Sequence, residues 1–509
     1  MLFARFKHAN GLAWLAGLGM IAHALAIHSQ SLPYTTDELQ YVAWSKDLDW
    51  GYFSKPPGIA FALWLWSLID PLASELRLFA QLCYGISLVI SFKFFRDDGL
   101  SFGRSMMASL ILGSTPLIGF AQWFFTTDAL LLICWLMALA IAWRALKAQQ
   151  FQCAWHWWSL LGIVIAIGVL CKHFMLFFWV GLFAYLVFIR SKLLLQWGGM
   201  FLSFVVFSLV LIPHVIWLLE HPGTTIKHLI DLQGRTEQVI QATGNMNGLT
   251  GLTIGLRQAI EFIAAQWLGL GVGVLAVLKI RSAMSDMQRW LLLHSITILV
   301  IFVIQAGVGR ANANWAMPAT FSLGLVLIAN YLHQATPDGF AHLEQGMRSK
   351  LSFWVISNLL IGFFISFGAQ ALKFVKPEAL IWIDRIDPFH RQRGWNEFDR
   401  ALAALSKPAA IPWGVSDRDA AARILHRFGD GQLVYRSLPG SKPNHFALRY
   451  PYQTQVTVQT PRNKQSCTWF LAREGDSAQT RTGELIARVE RGRLSGRSET
   501  WVIWPEACP

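Results

Sequence analysis

Long apolar runs separated by short polar loops fill the first three quarters of this chain, and near residue 373 they give way to mixed polar and apolar positions. A helix needs about 17 to 25 mainly apolar residues to cross a bilayer. Runs of that kind lie near 11–29, 75–95, 104–121, 128–146, 157–172, 174–190, 195–219, 256–280, 289–307, 315–333 and 350–372, which predicts about eleven crossings. The run IAFALWLWSLI between Gly58 and Pro71 is too short to span and reads as a helix lying in or dipping into the interface. Beyond Lys373 the pattern predicts helices over Trp395–Leu405 and Asp417–Phe428 and strands over Gln432–Tyr435, Gln455–Val458 and Thr500–Trp504. The expected architecture is a mainly α polytopic membrane domain over 1–372 and a small soluble α/β or α+β domain over 373–509.

Composition agrees with a membrane setting: 54% of the 509 residues are hydrophobic, including 24 Trp and 35 Phe, and the mean hydropathy is +0.41. The formal charge of +13 is scattered through short loops instead of forming a stripe, so it fits anionic lipid headgroups and not nucleic acid. The amino-terminal stretch pairs basic residues with an apolar run, but no small-residue cleavage pattern follows Ile27, so a retained signal anchor is expected. Of six cysteines, Cys83, Cys134, Cys153 and Cys171 lie in or beside apolar runs, whereas Cys467 and Cys508 lie in the polar tail and form the potential disulfide.

With the amino terminus inside and the short run excluded, Lys93, Arg96, Arg104, Arg144, Lys147, Arg190, Lys192, Lys279, Arg281, Arg289, Arg348 and Lys350 all fall on the cytoplasmic side. The same parity puts the 30–58 loop, Asp128, Lys172, the 220–255 loop, the segment Gly309–Trp315 and the tail on the outer face. For a bacterial inner membrane, that face is periplasmic.

The candidate chemistry gathers there, where charges beside hydrocarbon are costly and tend to have a task. Asp37 and Glu38 follow the first span directly; one carboxylate is a candidate general base, against the plainer alternative that Thr36 or Asp37 caps a helix. Asp128 opens another apolar run, with Thr127 or Asp128 the alternative cap. Lys55 sits in YFSKPPG, its backbone stiffened by two prolines, and Lys172 breaks an apolar stretch; Tyr52 and His173 beside them are further candidate substrate ligands. Both lysines are candidate phosphate ligands, with snorkelling to the interface the alternative for Lys55. Arg310, Asn312 and Asn314 add hydrogen-bonding groups at one boundary, although Asn also favours turns. His221, His228 and Asp231 lack the spacing of a metal site.

Together these segments resemble the polytopic GT-C glycosyltransferases of family 39 type: protein mannosyltransferases, the aminoarabinose lipid A transferase and the lipopolysaccharide galacturonosyltransferase-like group. The resemblance covers nearly the whole chain. It is carried by TTDELQYVAWSKDL with YFSKPPG, TTDALLL, GVLCKHFMLFFW, PHVIWLLEHPGTTIKHLIDLQGR, RANANWAMPA and DPFHRQRGWNEFDRAL. It implies inverting transfer from a polyprenyl-phosphate sugar to an extracytoplasmic acceptor such as lipid A, an envelope glycan, another lipid or a protein. Asp37 is then the base, Asp128 supports acceptor or base, and Lys55 and Lys172 hold the donor phosphate. No cofactor is expected. Ser54 stands where the aminoarabinose transferase carries a glutamate associated with a metal, so no metal is expected either. Two other classes remain in view: a lipid or solute transporter, which this clustering of charge at one face disfavours, and a noncatalytic scaffold presenting the tail.

Overall fold

The computed structural model describes residues 2–29, 32–72, 75–148, 151–188, 194–221, 248–271, 274, 284–309, 311–333, 345–364, 367, 387, 389–429, 432–437, 444–450, 466–477, 484–492 and 498–507. It divides into two compact units. The first comprises Met1–Ser29, Lys55–Ile59 and Ser74–Ser366; the second comprises Gln30–Ser54, Ala60–Ala73 and Phe367–Pro509. A single cut near 372 therefore does not describe the organisation, because the first loop folds with the carboxyl-terminal segment.

The first unit is a helical bundle. Among the described residues, six of its helical stretches are long and apolar enough to cross a membrane: Leu76–Asp97, Thr127–Lys147, Ala154–Cys171, Gln196–Glu220, Asp286–Val308 and Ala313–His333. Shorter apolar helices occupy Ala13–Ser29, His173–Phe188 and Ser349–Phe363, whereas helix Gly58–Ser67 belongs to the second unit from Ala60 on. The expected span over 104–121 is broken into helices Phe102–Gly113 and Pro116–Ala121, because Thr115 is extended and Pro116 restarts the helix at a position where its missing N–H is harmless. The expected run over 256–280 ends as a helix at Leu270, where Gly271 takes φ +94, and residues 275–283 lie outside the described set.

The second unit is built around a mixed five-stranded sheet in the order β2-β1-β3-β5-β4, with β1 Trp413–Val415, β2 Leu433–Tyr435, β3 Ser466–Arg473, β4 Ala487–Gly492 and β5 Ser498–Ala507. β1 runs parallel to β2 and β3, and β5 runs antiparallel to β3 and β4. Helices Trp395–Ala403 and Arg418–Phe428 appear where the apolar spacing predicts them. The expected strand over 455–458 lies outside the described residues. Their packing core includes Trp395, Phe398, Trp413, Ile424 and Trp501, and Leu39 from the first loop belongs to the same cluster.

The DPFHRQRGW segment serves this core. Asp387 accepts from Arg393 Nε at 2.6 Å in a buried pair, and Gly394 takes φ +78, where an added Cβ would lie 2.3 Å from the Gly492 carbonyl oxygen. The guanidinium groups of Arg423 and Arg491 lie 4.2 and 4.1 Å from the Trp395 ring centroid, which holds their planar charge against the indole.

Candidate functional site

Within the helical unit the chain is broken where the chemistry is concentrated. Helix Phe151–Cys171 stops at Lys172, which is extended at φ −159 and ψ 125, and a 3-10 turn, His173–Leu176, leads into the next helix. Such a break inside a bundle is tolerated where the freed backbone finds partners; the Lys172 N–H donates to the Gly168 carbonyl at 2.8 Å.

Lys172 Nζ donates to Asp128 Oδ1 at 2.5 Å, with both side chains largely buried. Asp128 Oδ2 accepts from Asn314 Nδ2 at 2.9 Å. Asp128 lies in the first turn of Thr127–Lys147, where the helix dipole favours a carboxylate, and the cap is Thr126, one residue before the expected position. Asn314 is held by a turn that Gln266 braces: its amide donates to the Ala313 carbonyl at 3.0 Å and accepts from Thr320 Oγ1 at 2.6 Å. Both oxygens of Asp128 are thus engaged, and among the described residues Asp128 is the hydrogen-bond partner of Lys172 Nζ. An ammonium has three N–H donors, so this pair fixes the lysine and leaves it capacity to hold an anion.

Lys55 reaches the same place by a tight backbone approach. A Cβ on Gly58 would sit 2.6 Å from the Leu170 carbonyl oxygen, so the Lys55-Pro-Pro-Gly58 turn can lie against the end of the helix only with glycine there. Lys55 is close enough to His173 for their charges to interact. His173 Nε2 is 3.1 Å from His214 Nε2, with the rings 5.4 Å apart. Sequence reading missed His214, although an imidazole after Pro213 inside an apolar helix is the signal that marks it.

The acidic loop belongs to the second unit. Helix Thr36–Lys46 begins with a capping box: Thr35 Oγ1 accepts from the Glu38 N–H at 3.1 Å, and Glu38 Oε2 accepts from the Thr35 N–H at 2.7 Å. The cap is therefore Thr35, not Thr36 or Asp37, and Glu38, a candidate for catalysis by sequence, is buried and serves the helix start. Asp37 is exposed, and its Oδ1 accepts from Arg418 Nη2. Tyr52, a candidate substrate ligand, is buried: it stacks on Trp44 at 4.5 Å, its hydroxyl donates towards the Trp44 and Asp47 carbonyls, and it accepts from the Asp49 N–H. Burial pushes its hydroxyl pKa up, with the Asp49 and Asp47 charges adding to that and the Asp49 N–H opposing it.

Arg310, His228 and Asp231 lie outside the described residues, as do Cys508 and the side chain of Cys467. His221 stacks on Trp217 at 4.4 Å, and its Nδ1 donates to the Trp217 carbonyl. Ser54 supplies a neutral hydroxyl, and among the described residues no three of His, Cys, Asp and Glu are grouped to hold an ion.

Residues 54–217 match the family model described as dolichyl-phosphate-mannose-protein mannosyltransferase, a span that includes Lys55, Asp128, Lys172 and His173. Over 482 residues, 91% of this chain and 92% of the relative, the sequence is 26% identical to the lipid A galacturonosyltransferase RgtD of Rhizobium johnstonii. The fold is similar to that of ArnT from Cupriavidus metallidurans, with a TM-score of 0.60, 13% identity and coverage of 97% of this chain and 98% of that one, in the structure bound to undecaprenyl phosphate. The apo structure of the same protein gives a TM-score of 0.62 at 12% identity, with the same coverage. These likenesses agree with the resemblance to the GT-C glycosyltransferases of family 39 type. The resemblance read from TTDELQ, SKPPG, TTDALLL and LCKHF is matched by a similar fold.

Proposed function

We propose that the chain transfers a sugar from a polyprenyl-phosphate donor to a lipid A or related envelope-glycan acceptor, with inversion at the anomeric carbon. The observation that carries this reading is the buried Lys172–Asp128–Asn314 constellation at a helix break, with the Lys55 turn seated against the same helix end. Cations fixed there match a phosphate leaving group, whose negative charge grows as its bond to the sugar breaks. The acceptor hydroxyl gives its proton to the Asp37 carboxylate as its oxygen bonds to the anomeric carbon. The bond from that carbon to the phosphate oxygen breaks, and its electron pair leaves with the phosphate, so no strong general acid is needed. Lipid A is the first acceptor to test because the similarity to the lipid A galacturonosyltransferase RgtD spans 91% of this chain, and undecaprenyl phosphate is the first donor to test because the ArnT structure of similar fold is bound to it.

The experiment is mass spectrometry of envelope glycolipids and glycoproteins from cells with and without this chain. A lipid A or glycan species heavier by one sugar, present only when the chain is expressed, is expected. Identical profiles would remove the reading.

A further inference from the structure

The site above does not use Arg418, and nothing in the sequence marks it: it is one of many arginines in the polar tail. The structure brings it to Asp37 across a separation of 381 residues. Its Nη2 donates to Asp37 Oδ1, and its Nε donates to Gln40 Oε1 at 2.9 Å. Gln40 is buried one helical turn beyond Asp37, so the guanidinium lies along one face of helix Thr36–Lys46.

The surroundings hold that geometry from both sides. Arg418 opens helix Arg418–Phe428, whose cap, Asp417, accepts from the Asp419 and Ala420 N–H groups at 2.8 and 3.0 Å and takes Arg473 on its other oxygen at 2.9 Å. The next residue, Asp419, accepts from Thr36 Oγ1, and Arg423 one turn on donates to the Tyr34 carbonyl at 2.9 Å. Arg418 and Asp37 are both substantially exposed, with side chains 42% and 56% accessible. A pair so exposed adds little to stability, so its use is to be sought in placing the carboxylate.

We propose that Arg418 is a positioning residue for Asp37: the carboxyl-terminal fold supplies the group that fixes one oxygen of the base and keeps that base ionised. The inference rests on the reading of Asp37 as base. Among the described residues, the other charged or titratable groups around the pair include Glu38 and Tyr41 on the Asp37 helix, Asp419 beside Arg418, Tyr435 on β2 and His445 on the short helix His445–Arg449. Burial, with Arg449 and Arg418 adding to it, holds His445 down at about 4. It is therefore neutral where the pH profile is read.

The test measures transfer against pH with the full-length chain in lipid nanodiscs, comparing wild type, Arg418→Met, Arg418→Lys and Asp37→Asn, each checked by thermal melting. Without the guanidinium the carboxylate takes up its proton at higher pH, so the acid limb of kcat/KM in Arg418→Met is expected to move up by about half a pH unit, in keeping with an exposed pair. At neutral pH kcat is expected to fall about tenfold with donor KM unchanged. Arg418→Lys should return the limb towards wild type but recover only part of kcat, since an ammonium lacks the fork that spans Gln40 and Asp37. A merely structural role would lower the melting point and leave the limb in place. Should the Met variant fail to fold, Arg418→Gln, which keeps a donor for Gln40, is read in the same way. An acid limb coinciding with wild type overturns the proposal for Arg418. If Asp37→Asn turns over normally, it is the base assignment that fails; if Asp37→Asn is inactive while the limb stays fixed, only the role of Arg418 is lost.

Discussion

Asp37 and Glu38 are neighbours in sequence with opposite fates, because successive side chains on a helix point about 100° apart. One faces solvent and Arg418, while the other is buried in the cap. Asp37→Asn is therefore expected to leave the melting temperature near wild type and to lower transfer by at least about a hundredfold. Glu38→Ala should lose about 1 kcal/mol of stability and leave the folded fraction active, as thermal melts and initial rates on the same samples will show. Gly58→Ala is a second residue-scale test. Its new Cβ would meet the Leu170 carbonyl at 2.6 Å, so the Lys55 turn must back away, and transfer should fall about tenfold or more with donor KM raised. An unchanged donor KM in Gly58→Ala would separate Lys55 from donor binding.

At the scale of elements, the helices of the second unit were legible because Phe398, Leu402, Ile424 and Leu425 recur at helical spacing and Asp417 announces a start. The break after Ser114 was not, since apolar content hides a Pro that merely restarts a helix. The lysine and carboxylate of the Lys172–Asp128 pair were visible one by one, because charge is conspicuous in an apolar run, but 44 residues of separation concealed their contact. Least legible was the union of the 30–54 loop with the tail, which rests on Leu39, Thr36, Asp37 and Asp47 meeting residues nearly 400 positions away. That union has a topological consequence: the loop and tail lie on one side of the membrane, so an even number of crossings separates them. The helix Gly58–Ser67, ten residues long, is too short to add one. Impermeant thiol reagents should thus label Asp47→Cys and Lys407→Cys from the same side, the outer one by the distribution of loop lysines and arginines. Labelling from opposite sides would refute the arrangement.

For the molecule as a whole, the proposed reaction takes Lys55 and Lys172 as the cations for the leaving phosphate and Asp37 as the base. In that reaction the lysines supply the positive charge for the phosphate, and Ser54 is a poor ligand for a divalent ion. Transfer by purified protein is expected to survive excess EDTA after metal removal is verified by elemental analysis; loss of activity restored by one divalent ion would show ligands beyond those recognised here.

The most direct test of the central claim uses purified protein in nanodiscs with a polyprenyl-phosphate sugar and lipid A, following the acceptor by mass spectrometry in wild type, Lys55→Met and Lys172→Met. Wild type is expected to add one sugar per acceptor. Each folded Met variant should bind donor more weakly and transfer at least about tenfold more slowly, with Arg at either position recovering only part. Lysine variants that bind donor and transfer sugar as wild type does would contradict the account.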